Sequence, residues 1–99
     1  MLTSKQLRHL RSLAHPLKPV VQVGKGGIDD GLIAAVNQAL LDHELIKVKV
    51  GDNAELERED AAKAIAEKTD SVVAQIIGNT VLLYRAHPDE PLIGLPSAE

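Results

Sequence analysis

At 99 residues the chain has the length of one small domain, too short for a two-domain enzyme. Zero cysteines exclude a disulfide framework, a thiolate zinc site and cysteine nucleophile chemistry, and one Tyr with no Phe or Trp leaves the core to Leu, Val, Ile and Ala. The formal net charge of −3 hides a division along the chain, because residues 1–51 carry seven Lys or Arg against four acids and residues 52–99 carry four against ten.

Thr3 and Gln6 have the spacing of a capping box, and Leu7, Leu10, Leu13 and Ala14 follow with helical periodicity, so a helix is expected over residues 4–14. At ~100° per residue its apolar arc opposes Lys5, Arg8, Arg11 and Ser12, a basic outer face. His15-Pro16-Leu17-Lys18-Pro19 ends it, since proline has no amide hydrogen and disfavours helix in the residue before it. Residues 20–23, Val-Val-Gln-Val, read as a short strand.

Gly24-Lys25-Gly26-Gly27 then opens directly into a second helix, with Asp29 as N-cap and Ile28 and Ile33 placed for a hydrophobic staple. The helix runs to His43, which is expected to pack at its end, and its apolar stripe is Leu32, Ile33, Ala35, Val36, Ala39 and Leu40. In residues 45–50 Ile46, Val48 and Val50 alternate with Lys47 and Lys49, which is a half-buried strand. Gly51-Asp52-Asn53 supplies a turn and cap for a third helix whose first turns collect Glu55, Glu57, Glu59 and Asp60 near the positive end of the helix dipole. Its inner face is Ala61, Ala62, Ile65 and Ala66. Residues 71–77 and 80–85 read as two strands joined by Gly78-Asn79, a hairpin signal, with Tyr84 in the sheet core. The fold class expected is α/β (α+β), one domain in the order α-β-α-β-α-β-β, a four-stranded mixed sheet with three helices. The domain is expected to span residues 1–86, and residues 87–99 to form an irregular, acidic, proline-containing tail.

The glycine loop carries the sharpest chemical signal. Glycines let a backbone approach a ligand without interference from Cβ, amides at a helix start present donors to an anion, and Lys25 adds a mobile ammonium. Those parts suit a phosphodiester, although a strand-to-helix turn that needs glycine for geometry alone fits the spacing at least as well. A nucleotide-triphosphate loop is excluded, because Gly26 follows Lys25 where that motif requires Ser or Thr. The second signal is that the first 28 residues hold Lys5, Arg8, Arg11, Lys18 and Lys25 and no acid. Four to six such cations on single-stranded nucleic acid would give a salt slope of about −3 to −4.

Other chemistry finds no support. His9, His15, His43 and His87 show no metal-ligand spacing, and no Ser, His and Asp arrangement suggests catalysis. No cofactor and no small-molecule substrate is expected. With one aromatic residue, base-stacking platforms are not available, so any RNA contact must use backbone amides, glycine geometry and cations. No apolar run approaches the ~18 residues needed to span a bilayer, and the amino terminus turns polar at once. A cytoplasmic protein without a membrane partner is expected, its oligomeric state open.

Five blocks of the sequence resemble a known family. Leu13-Ala14-His15-Pro16-Leu17-Lys18-Pro19, Val23-Gly24-Lys25-Gly26-Gly27, His43-Glu44-Leu45-Ile46-Lys47-Val48-Lys49, Ile77-Gly78-Asn79 and Leu83-Tyr84-Arg85 are similar, in order and spacing, to the CRM domain. More narrowly they resemble its bacterial single-domain YhbY type, and the resemblance covers residues 3–86. It implies a fold similar to the carboxy-terminal domain of a bacterial translation initiation factor, RNA binding through a KH-like GxxG loop, and association with precursors of the large ribosomal subunit. No enzymatic activity or cofactor is implied. By position the family's loop falls on Gly24, Lys25, Gly26 and Gly27, and its basic surface on the first helix, Lys18, Lys47 and Lys49. One departure is that members of the family are commonly basic, whereas this chain is acidic overall and has no base after Arg85.

The leading expectation is therefore a non-catalytic protein that binds ribosomal RNA of the large-subunit precursor and assists assembly. The alternative is a protein-interaction adaptor that sets its acidic third helix on a basic ribosomal protein. Phosphate-ester enzymology at the loop is remote, since neither nucleophile nor base is at hand.

Overall fold

Thr3 caps the first helix as its spacing predicts: its Oγ1 accepts the Gln6 N–H at 3.2 Å, and Gln6 Oε1 accepts the Thr3 N–H at 3.0 Å. The computed structural model describes residues 2–52, 54 and 56–97. Along them run α1 (Ser4–Ala14), β1 (Pro19–Val23), α2 (Asp30–His43), β2 (Leu45–Val50), α3 (Arg58–Thr69), β3 (Val72–Ile77) and β4 (Thr80–Tyr84). The order is the expected one, and the four strands form one mixed sheet, β1-β2-β4-β3. β1 and β2 are parallel, and β4 pairs antiparallel with both β2 and β3.

The register explains the packing. Because side chains alternate across a strand, cross-strand partners share a face. Val21 with Val48, Ile46 with Leu83 and Val48 with Val81 face α2 and α3, and there Val36, Leu40, Ala61, Ala62 and Ile65 close the larger core. Leu45 opposite Tyr84, and Lys47 opposite Leu82, lie on the other face. α1 covers only one end of that face, setting Leu10 and Ala14 on Leu45, Ala74, Leu82 and Tyr84 in a second core. Both faces of β2 are buried at its start, which is why Leu45 is inaccessible although the alternation assigns it outward.

Three local expectations need correction. α3 starts at Arg58 with Glu57 as an N-cap that makes no side-chain bond, so the helix begins later than Asp52 would allow. The Asp52 carboxylate instead accepts Asn79 Nδ2 at 3.1 Å, tying the linker to the β3–β4 hairpin; Asn53 and Glu55 lie outside the described residues. His43 is exposed, because Glu44 turns inward in its place. Ala35 is likewise exposed, on the edge of the α2 stripe. The hairpin itself is as read: Gly78 takes φ +56°, the positive φ that a type II′ turn requires at its first central position.

Residues 87–97 add no strand or helix, yet they are packed onto the domain. Ile93 and Leu95 lie against the second core, and Gln6 Nε2 donates to the Pro96 carbonyl at 3.1 Å. Residue 86 is therefore not a break in packing.

Candidate nucleic-acid interface

The glycine loop leaves the end of edge strand β1 and leads into α2. Its Gly27 N–H donates to the Gly24 carbonyl at 3.0 Å, closing a four-residue turn with Lys25 and Gly26 at the apex. Neither apical residue has positive φ, which excludes type II and the primed turns; Gly27 alone is left-handed, at φ +71°. A Cβ at Gly24 would meet no atom within 4 Å, and one at Gly26 only the Asp29 carboxylate at 3.7 Å. The fold thus requires glycine at Gly27, whereas Gly24 is free of any such demand. Lys25 is exposed at the tip.

The α2 N-terminus is less open to an anion than its sequence suggests. Asp29 Oδ1 accepts the Leu32 N–H at 2.8 Å, so the chain's own carboxylate occupies part of that donor set, and Asp30 follows in the first turn. Anion attraction at this corner falls to Lys25 and the loop itself.

Three further cations, Lys47, Lys49 and Arg11, sit on the sheet face that carries α1. Lys47 and Lys49 lie on this face, opposite Leu82 and Thr80 of β4, and Lys49 also pairs with Gln22 just before the loop. Lys47 is half-buried and its Nζ donates to the Leu17 carbonyl at 3.0 Å, while Lys49 is exposed. Arg11 reaches the sheet from α1, its Nε donating to the Ala74 carbonyl at 3.4 Å. Ala74 sits where the β3–β4 register shifts, and such a bulge leaves a carbonyl without a ladder partner. Between α1 and the hairpin a groove of about 210 Å³ opens, walled by Arg11 and His15 and floored by Lys47 and Leu82. Among the described residues no Asp or Glu lines it.

Not every predicted cation converges on the loop. Lys18 precedes β1 while the loop follows it, and five extended residues separate them by roughly 17 Å. Lys5 and Arg8 are exposed on α1, at the sheet end remote from the loop. The cations therefore form a strip rather than a ring, from Lys25 through Lys49 and Lys47 to Arg11 and α1. Acids are also nearer the loop than the sequence suggests. Gly51 N–H donates to the Val23 carbonyl at 2.8 Å, which places Asp52 beside the loop, and Arg58 Nη1 donates to the Gly78 carbonyl at 2.8 Å, which holds the start of α3 at the same sheet end. Arg58 also pairs with Glu59 at 3.1 Å, holding that carboxyl below the usual carboxylate range.

Sequence reasoning missed Glu44. It is fully buried with φ 64°, and its carboxylate accepts the backbone N–H groups of His87, Leu92 and Ile93. An acid at a helix C-terminus opposes the dipole, and that anomaly was the only signal available.

The architecture is thus an α+β domain of three helices on a four-stranded mixed sheet, with a glycine turn between its edge strand and a helix. The CRS1 / YhbY (CRM) domain model matches residues 2–85, and the chain belongs to that family. It is 47% identical over 96 residues to the probable RNA-binding protein YqeI of Bacillus subtilis, covering 97% of this chain and 100% of that protein. An RNA-binding protein of Haemophilus influenzae is 40% identical, with 96% and 95% covered. The solution structure of a hypothetical protein from Staphylococcus aureus superposes with a TM-score of 0.81 at 42% identity, covering 97% of this chain and all of that one.

Proposed function

We propose that this protein is a non-catalytic RNA-binding protein of the cytoplasm that binds ribosomal RNA of the large-subunit precursor and assists assembly. The observation that carries the reading is the cationic strip of Lys25, Lys49, Lys47 and Arg11, which ends on a turn whose Gly24 position the fold itself leaves free. Names of relatives support RNA as the partner, and the family resemblance supports its ribosomal source. A phosphodiester backbone is met here by ammonium and guanidinium groups and a loop without side-chain bulk, a recognition style that needs no aromatic platform.

Filter binding of the purified chain to large-subunit ribosomal RNA tests this, with Lys25→Glu as the altered form. Lys25→Glu should weaken binding and flatten its salt dependence, and sedimentation of a lysate should place the chain with large-subunit precursor particles. Unchanged binding on Lys25→Glu would overturn the site. The exposed Glu57, Glu59 and Asp60 at the start of α3 keep a second reading open to the same experiment, an adaptor docked on a basic ribosomal protein. Charge reversal at Glu57 and Glu59 should then abolish particle association while leaving RNA binding intact.

A further inference from the structure

We propose that the groove between α1 and the β3–β4 hairpin is a subsite for one unpaired nucleotide of the bound RNA. The inference rests on the RNA-binding reading and adds to it the class of RNA, a single-stranded segment rather than a continuous duplex. α1 is 11 residues long and stops over Leu45, Ala74, Leu82 and Tyr84, so the same face of the sheet continues uncovered toward Thr80 and Ile77. Ile77 is 64% exposed there, an aliphatic side chain left on an otherwise cationic surface.

The groove offers separate chemistries for the separate parts of a nucleotide. For the phosphate there are Lys47, with one donor spent on Leu17, and Arg11, whose Nη1 and Nη2 carry no hydrogen bond among the described residues. For the base there are aliphatic surfaces, Ile77 and the Pro19 ring, above a Leu82 floor. For the edge of the base there are the Gln75 amide, which both donates and accepts, and the Thr80 hydroxyl. A bare anion would have no use for the apolar and amide groups, and a duplex keeps its base faces stacked away from them. The volume of about 210 Å³ is below the ~300–1,000 Å³ of pockets that enclose a whole drug-sized ligand, which suits one base rather than a dinucleotide. Lys49 lies one pleat further along the same face toward the loop, so one strand can run from groove to loop across a continuous set of cations.

Amide NMR of the full chain separates the possibilities. Adenosine or uridine monophosphate should shift the Gln75 side-chain amide and the backbone amides of Ile77 and Thr80, whereas inorganic phosphate should leave the Gln75 side chain unmoved. Ile77→Ser, and independently Gln75→Ala, should lower affinity for a single-stranded oligonucleotide about five- to tenfold, the lower part of the range for losing one stacked base, and change affinity for a duplex of equal length less than about twofold. If both variants bind the single strand within twofold of the parent while Lys25→Glu does not, the subsite is overturned and the loop reading stands. If Lys25→Glu is also without effect, the loop site falls with the subsite, and failure of the parent chain to bind either RNA overturns the RNA reading itself. Shifts at Gln75 and Ile77 produced by an acidic peptide as strongly as by the nucleotides would make the groove a peptide surface and overturn the subsite.

Discussion

Glu44 accepts the backbone N–H of Leu92 on Oε1 at 2.6 Å, joining the α2–β2 corner to a segment 48 residues away. The same oxygen accepts the Ile93 N–H at 2.7 Å and Oε2 accepts the His87 N–H at 2.6 Å. Three charge-assisted bonds explain why a non-glycine residue tolerates φ 64°, a conformation that costs about 1–3 kcal/mol. Glu44→Ala removes the acceptor from all three donors and should cost about 2–4 kcal/mol, limited by how far residues 87–93 detach into water. Urea unfolding measures the loss, and faster hydrogen exchange confined to residues 87–93 would locate it. An unchanged urea midpoint would contradict the assignment.

Tyr84 is the single tyrosine, buried at 6% exposure, and its phenol is pushed above the ordinary value of 10.0 by burial and, secondarily, by the Glu44 carboxylate. Above pH ~10 the unfolded chain loses this proton before the folded chain does. Stability from this group is therefore present below pH ~10 and declines as pH rises through the folded value. The ultraviolet absorbance of tyrosinate reads the group without overlap and should titrate later in the folded protein than in urea. Lysines titrate in the same range, so the informative comparison is with Tyr84→Phe, whose stability should fall less steeply over that interval.

How much of this was legible in the sequence depended on whether the deciding contact was local. The Thr3–Gln6 box, the Asp29 cap and the Gly78 turn are set by residues within three positions of each other, and all three stand as read. The start of α3 was not legible, because Asp52 is drawn to Asn79, 27 residues on. The arrangement of cations was hidden for a related reason. Periodicity puts Lys47 and Lys49 on one face of β2, but only the pairing of β2 with β4 brings Thr80 and Leu82 beside them. Likewise nothing near Lys18 shows that the loop lies at the far end of β1. The attachment of residues 87–93 was hidden as well, because it depends on the Glu44 carboxylate, whose bonds to the His87, Leu92 and Ile93 N–H groups all span more than 40 residues.

The two outer glycines of the loop should separate stability from binding. Gly27→Ala places a side chain at φ +71° and should cost about 1–2 kcal/mol. Gly24→Ala meets open space and should leave stability unchanged or raise it by up to ~1 kcal/mol, through reduced freedom of the unfolded chain. If RNA approaches the backbone there, Gly24→Ala should nevertheless bind more weakly, by about tenfold for the loss of one close contact worth ~1.4 kcal/mol. Paired urea and filter-binding measurements decide it. A Gly24→Ala protein with parental affinity would show that this position is glycine for neither reason.

Asp52 tests whether the field around the loop, rather than net charge, governs affinity. The Gly51 N–H bond to the Val23 carbonyl sets Asp52 beside the turn, and its carboxylate is satisfied by the Asn79 amide. Asp52→Asn keeps an oxygen in place for that bond while deleting one negative charge. At a separation of ~10 Å in water one unit charge acts on a phosphate with about 0.4 kcal/mol, so RNA affinity should rise about twofold in dilute salt. The gain should vanish as the screening length contracts from ~10 Å at 0.1 M toward ~3 Å at 1 M. Glu67→Gln, on the exposed flank of α3, serves as the control of equal charge and should leave binding unchanged. Equal gains from both substitutions would mean that total charge alone sets the affinity, and the local strip of Lys25, Lys49 and Lys47 would lose its claim to the site.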